Sequence, residues 1–197
     1  LGSIAAVSAE DVDPGYYELA RHLHVVSPFL LKGLRPMMPQ MMRRAKDAGM
    51  TVSLDTNWDP TRQWQLEGFF DHLDVFLPNE QEVQAITGQE SLAGAISEMA
   101  DRVPLLVVKR GVEGALALQK GRRIDVSTFP VKAIDTTGAG DSFDGGFIGA
   151  WLKGQPLKRC LEFGAACGAM TTTALGGFNG QPAWEEALKM IQASPDG

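Results

Sequence analysis

The sequence predicts an α/β fold with a mostly parallel sheet. Three observations carry this reading: short apolar runs of strand length, helical segments between them, and a late glycine-rich turn that opens into a run of helices. The first apolar run is 23–27, Leu-His-Val-Val-Ser. A segment rich in Met and basic residues, 37–49, has helical spacing. Residues 51–55 read as the second strand, 75–77 as the third and 105–108 as the fourth, with helices over 80–87 and 92–100 between them. Residues 114–119 and 123–129 read as two shorter strands near an edge, joined by Lys120-Gly121-Arg122. Helices are expected over 139–153 and 157–173, and a last one over 184–193 after Pro182.

Composition bounds the function. The chain has 197 residues, which suits one domain or one domain plus a fragment, and at 44% hydrophobic and 21% charged it has the profile of a globular protein with a real core. Its net charge of −6 argues against a nucleic-acid partner, though not against a locally positive site for an anionic nucleotide. No apolar run is long enough to span a membrane and no signal peptide is visible. A cytoplasmic, reducing location is therefore expected. Cys160 and Cys167 lie seven apart in one apolar segment and read as small packed hydrophobes; neither a disulfide framework nor a zinc motif is present. The Met37-Met38 and Met41-Met42 pairs read as core filler. His22, His24 and His72 have no ligand spacing and read as structural or surface groups. The opening Leu1-Gly2-Ser3-Ile4 is unlike a natural N-terminus, so further residues are expected before it.

The segment Asp135-Thr136-Thr137-Gly138-Ala139-Gly140-Asp141 precedes a helix carrying Phe143, Phe147, Ile148, Trp151 and Leu152. Gly138 and Gly140 let the backbone turn tightly and let a ligand approach. A turn that opens a helix presents unpaired N–H groups and a positive dipole end, together an anion site. Asp141, in the first turn, could simply cap the helix. Two glycines and two threonines are more than a cap requires. The segment is neither a Walker A loop, since no Gly-Lys-Ser/Thr follows, nor a dinucleotide fingerprint.

Extended through Ser142-Phe143-Asp144-Gly145-Gly146-Phe147, this segment resembles the C-terminal signature of ribokinase-like (PfkB-type) carbohydrate kinases. Leu77-Pro78-Asn79-Glu80-Gln81-Glu82 resembles that family's Asn-x-x-Glu motif, and Val107-Val108-Lys109-Arg110-Gly111-Val112-Glu113-Gly114-Ala115 its nucleotide-loop strand. Phe163-Gly164-Ala165-Ala166, Gly176-Gly177 and Pro182 resemble its closing helix and loop. The resemblance covers nearly the whole chain in the right order. It implies a ribokinase-like three-layer α/β/α sandwich, 1–197 as a single nucleotide-binding portion of the kinase domain, without the N-terminal strands and β lid.

The resemblance also implies roles. Asp141 would be the general base that takes the proton of a sugar hydroxyl, and the N–H groups of Gly138, Ala139 and Gly140 would stabilise the transferring phosphoryl group. Asn79 and Glu82 would organise Mg²⁺ through water; read from the residues alone, they form a capping box at a helix start. Lys109 would meet the phosphates of ATP, where the residue-level alternative is a solvated strand end. Gly111 and Gly114 would shape the nucleotide loop, and Ala165 would line the adenine pocket. Asp135 and Thr137 would hold a monovalent cation, K⁺, with carbonyls near Thr171, Ala174, Gly176 and Gly180. The implied partners are ATP and a small sugar, with neither nucleic acid nor membrane; a homodimer is compatible with the resemblance. Two alternatives stay open: a nucleoside kinase, and a non-catalytic nucleotide-binding domain of the same fold.

Two departures stand out. Asp144 occupies a position where Asn is common. In Asp55-Thr56-Asn57-Trp58-Asp59-Pro60, similar to the family's Asp-x-Asn segment, Asp59 replaces a basic residue, which speaks against acidic sugars and for a neutral one such as fructose or ribose.

Overall fold

The computed structural model describes residues 2–194. The chain forms two compact units, Leu1–Val107 and Val108–Gly197.

The first unit begins with short turns and a one-turn helix α1 (Tyr16–Leu19), then alternates strand and helix. Strands β1 (His22–Val26), β2 (Thr51–Asp55), β3 (Val75–Phe76) and β4 (Leu105–Lys109) pair in chain order, all parallel. Helix α2 (Met38–Asp47) links β1 to β2, and α3 (Glu80–Thr87) and α4 (Leu92–Ala100) link β3 to β4. Val52, Leu54, Val75, Phe76, Leu105 and Leu106 are all buried, as a sheet covered on both faces requires. The Met pairs divide as helical spacing dictates. Met38 and Met42 face the core with Ala45, whereas Met37 precedes α2 and is exposed.

The histidines of β1 are structural. His22 Nδ1 meets Thr51 Oγ1 and its Nε2 meets Ser53 Oγ, each at 2.8 Å, and His24 Nδ1 reaches the same Ser53 hydroxyl at 2.8 Å. Burial first, and the neighbouring His24 second, push the His22 pKa from 6.5 down to about 4, against the pull of Asp74. In the unfolded chain His22 titrates near the ordinary 6.5. Between those values the unfolded chain binds the extra proton, so stability is full above pH 6.5 and is lost as pH falls toward 4. His22 is partly exposed, so the expected loss is about 1–2 kcal/mol. Urea unfolding at pH 7 and pH 4.5 measures it. His22→Gln should flatten this part of the profile, and an unchanged slope would refute the assignment.

The second unit holds the last residues of β4, Val108 and Lys109, an antiparallel hairpin of β5 (Ala115–Gln119) and β6 (Arg122–Val126), and three helices. Helices α5 (Ala139–Leu152) and α6 (Leu157–Thr171) pack closely because glycines face the partner helix. A Cβ at Gly164 would lie 2.9 Å from the Phe143 ring, and one at Gly146 would lie 2.7 Å from Cys167 Sγ. Helix α7 (Trp184–Gln192) stacks Trp184 on Phe163 with ring centroids 4.0 Å apart. Both cysteines are free thiols in α6, and burial pushes each pKa up to about 11, as inert packing residues should show.

Most predicted elements are present within a residue or two. The sixth strand differs: the sequence reads it to 129, but β6 ends at Val126. Pro130 has no N–H for a ladder, and the segment from Thr128 to Ala133 turns away to line a cavity.

Candidate functional site

In the first unit, residues at the carboxyl ends of the parallel strands form a connected polar edge. Ser27, just after β1, has φ 52°, and Asn57, just after β2, has φ 48°. The Asn57 amide donates to Ser27 Oγ at 3.0 Å. Beyond it, buried Asp59 accepts hydrogen bonds from the N–H groups of Thr61, Gln63 and Trp64 and from the Thr61 hydroxyl. Burial pushes the Asp59 pKa up, but these hydrogen bonds, led by that of Trp64, outweigh it and hold the carboxyl below its ordinary range. The Asp59 carboxylate thus knits the loop. Arg62 and Trp64 adopt left-handed φ of 56° and 48°, conformations that bulky residues seldom take, and strain of this kind clusters at functional sites.

Asn79 and Glu82 form the expected capping box at the start of α3. Asn79 Oδ1 accepts the Glu82 N–H at 2.9 Å. The Glu82 carboxylate accepts the Asn79 backbone N–H at 2.9 Å and its side-chain amide at 2.7 Å. Glu82 is 3% exposed, buried in the first turn of α3. No group of three or more His, Cys, Asp or Glu among the described residues could form a metal cage.

In the second unit, the glycine-rich turn opens α5 with Gly138 as N-cap at φ 74°. Gly138 supplies no side chain to cap the helix. Ala139 N–H donates to the Thr136 carbonyl at 3.2 Å. Of the N–H groups in this turn, that of Ala139 is thus partly occupied, whereas those of Gly138, Gly140 and Asp141 face no acceptor among the described residues. The exposed Asp141 carboxylate likewise has no hydrogen-bond or ion-pair partner among the described residues, so it does not act as a cap.

A cavity of about 380 Å³ lies beside this turn. Lys109, Gly111 and Gly114 border it on one side and Thr136, Ala139 and Gly140 on another. Ala165, 5% exposed, contributes apolar wall, as do Phe129, Val131 and Phe143. Lys109 is no solvated strand end. Its Nζ lies 3.2 Å from both carboxylate oxygens of Asp144, and the side chains are only 12% and 2% exposed. The sequence raised both residues but did not pair them. Asp141 also borders a second cavity, of about 250 Å³, with Ser142, Gln181 and Trp184.

Gly140 is free of steric demands from the fold. A Cβ there would meet only Lys109 Nζ, at 3.8 Å. Gly140→Ala should therefore leave stability unchanged or raise it, by up to about 1 kcal/mol of helix propensity. If the turn cradles phosphate, the same methyl should cut nucleotide-dependent turnover by about tenfold or more. Thermal unfolding and turnover of one sample check both halves; retained turnover would show that nothing approaches Gly140.

Asp135 ties the turn to the last loop. Its carboxylate accepts the Thr137 N–H and the Gly176 N–H, each at 2.9 Å, and these bonds, Thr137 first, hold its pKa below the ordinary carboxylate range. The backbone N–H groups of Ile134 and Asp135 both reach the Thr172 carbonyl. A Cβ on Gly180 would lie 2.6 Å from the Thr171 carbonyl oxygen. The residues assigned to the monovalent cation thus include neighbours in one loop cluster.

The chain is 33% identical over 167 residues to fructokinase-2 of Solanum lycopersicum, covering 77% of the chain and 51% of the relative. It is 32% identical over 126 residues to the ribokinase of Haemophilus influenzae, covering 61% of the chain and 41% of the relative. The chain thus spans about half the length of the curated relatives it matches. An Escherichia coli protein assigned as ribokinase II, solved with ATP and Mg²⁺, superposes with a TM-score of 0.86 at 26% identity, over 95% of this chain and 64% of that one. This likeness bears out the ribokinase-like α/β fold class. No helix among the described residues is long and apolar enough to cross a membrane. The family model for pfkB carbohydrate kinases matches residues 4–184, and the chain belongs to that family.

Proposed function

We propose that this protein transfers the γ-phosphoryl group of ATP to a hydroxyl of a small sugar, with Asp141 as general base. The observation that carries this reading is the unpartnered Asp141 carboxylate, three residues past the left-handed Gly138 and beside N–H donors that lack acceptors. As the sugar oxygen attacks the γ-phosphorus, its proton passes to Asp141. The bond from the γ-phosphorus to the bridging oxygen breaks, and ADP leaves. The N–H groups of Gly138, Gly140 and Asp141 stabilise the negative charge spread over the transferring oxygens, most strongly where water is excluded. The cavity bordered by Gly111, Gly114 and Ala165 takes the adenine side of the nucleotide, and Lys109 sits at its phosphate end.

Asn79 and Glu82 fit a magnesium site reached through water. The Glu82 carboxylate is buried and held by the Asn79 N–H and amide, and Mg²⁺ retains most of its hydration when so few carboxylates are present. When bound, the metal would supply a charge-neutralising divalent cation. Asp135 and Thr137, with the 171–180 loop, fit a monovalent cation such as K⁺, because a carboxylate and backbone carbonyls are hard oxygen ligands.

The relatives' names include fructokinase, ribokinase and ribose-1-phosphate kinase, so a sugar is the preferred acceptor. ADP release measured with ATP over fructose, ribose, ribose 1-phosphate, a sugar acid and a nucleoside tests this. Turnover with one sugar is expected. Turnover with the nucleoside alone would reassign the acceptor, and ATP binding without any turnover would favour the non-catalytic alternative.

A further inference from the structure

We infer that Asp144 is a positioning residue that holds the Lys109 ammonium beside the Gly140 turn and, by sharing its charge, weakens the site's grip on nucleotide phosphates. This rests on the reading of the cavity as the nucleotide site. Asp144 follows Asp141 by three residues on α5, so it lies less than one helical turn further along. It is 1% exposed, and both its oxygens sit 3.2 Å from Lys109 Nζ. The same Nζ is 3.8 Å from where a Gly140 Cβ would stand, and Lys109 and Gly140 border one cavity. The ammonium is thus fixed at the mouth of the anion turn rather than sweeping through solvent.

The pair has a cost for anion binding. An incoming phosphate gains the attraction of Lys109 but also meets the repulsion of Asp144. It must compete with a buried carboxylate for the same donors. A near-neutral pair therefore gives orientation with reduced attraction, which favours release of ADP after transfer. A lysine without that partner would bind either nucleotide more tightly.

Asp144→Asn is the direct test, because Asn keeps an acceptor for Lys109 while removing the charge. Calorimetric titration with ADP and with adenosine separates charge from structure. The expected result is an ADP Kd about tenfold lower in the variant, with adenosine binding unchanged. A purely structural role would move both ligands together. If wild type binds ADP but the variant binds it equally or more weakly, the inference is overturned while the site reading stands. If wild type binds neither ligand, the site reading itself fails. Should Asp144→Asn not fold, Lys109→Met and the Lys109→Met/Asp144→Asn double variant replace it. The double variant should then bind ADP more tightly than Lys109→Met, and the reverse order would overturn the inference.

Discussion

Asp141→Asn is expected to lower kcat for sugar phosphorylation by about 10²–10⁴-fold, the range a positioned general base contributes. ATP affinity should change by less than a few-fold. The variant keeps the side-chain volume and the backbone N–H of Asp141, so the anion turn is preserved. Nothing in the described residues depends on the carboxylate for a hydrogen bond or an ion pair, so stability should also hold. This combination distinguishes a base from a helix cap: loss of a cap would cost about 1 kcal/mol of stability and leave the chemistry intact. Steady-state kinetics with nucleotide titration and thermal unfolding measure all three quantities.

Gly138→Ala is expected to act in the opposite way, through the fold. Gly138 has φ 74°, where an alanine is strained, and its Cβ would lie 2.5 Å from the Gly177 carbonyl oxygen and 2.7 Å from Gly177 Cα. Both are backbone atoms that cannot swing aside. Strain and clash together should cost about 3 kcal/mol or more, a fall in Tm on the order of 10 °C for a chain of this size. The close approach joins the anion turn to the 176–180 loop, so the loop should loosen as well. Hydrogen exchange at Gly176, whose N–H is held by Asp135, should rise in the variant. The contrast with Gly140→Ala is informative: of the two glycines in one turn, Gly138 is required by the backbone and Gly140 leaves space.

The periodic features of the fold were legible in the sequence because they are local. The parallel strands are apolar runs, and the helices carry their own caps, as Asn79 and Glu82 do for α3. The sixth strand was read to 129, past its end at Val126, because Phe129 looks like a strand continuing. Phe129 instead walls a cavity, together with Pro130 and Val131. The residues of the glycine-rich turn were visible as a motif, but which of its N–H groups remain available depends on the Thr136 carbonyl, a matter of geometry. The Lys109–Asp144 pair joins residues 35 apart in sequence and leaves no local signal. The same holds for the strained Arg62 and Trp64, residue types that do not advertise a left-handed backbone; the signal available was Asp59, a short acceptor followed by a run of N–H donors.

The central claim is that the turn at Gly138–Asp141 is where phosphoryl transfer occurs. A crystal structure of the protein with Mg²⁺ and a non-hydrolysable ATP analogue tests it most directly. The terminal phosphate is expected within hydrogen-bond distance of the Gly138, Gly140 and Asp141 N–H groups, the adenine against Ala165, and the Asp141 carboxylate facing the phosphorus from the side opposite ADP. A nucleotide whose phosphates lie away from this turn, with Asp141 remote from them, would contradict it.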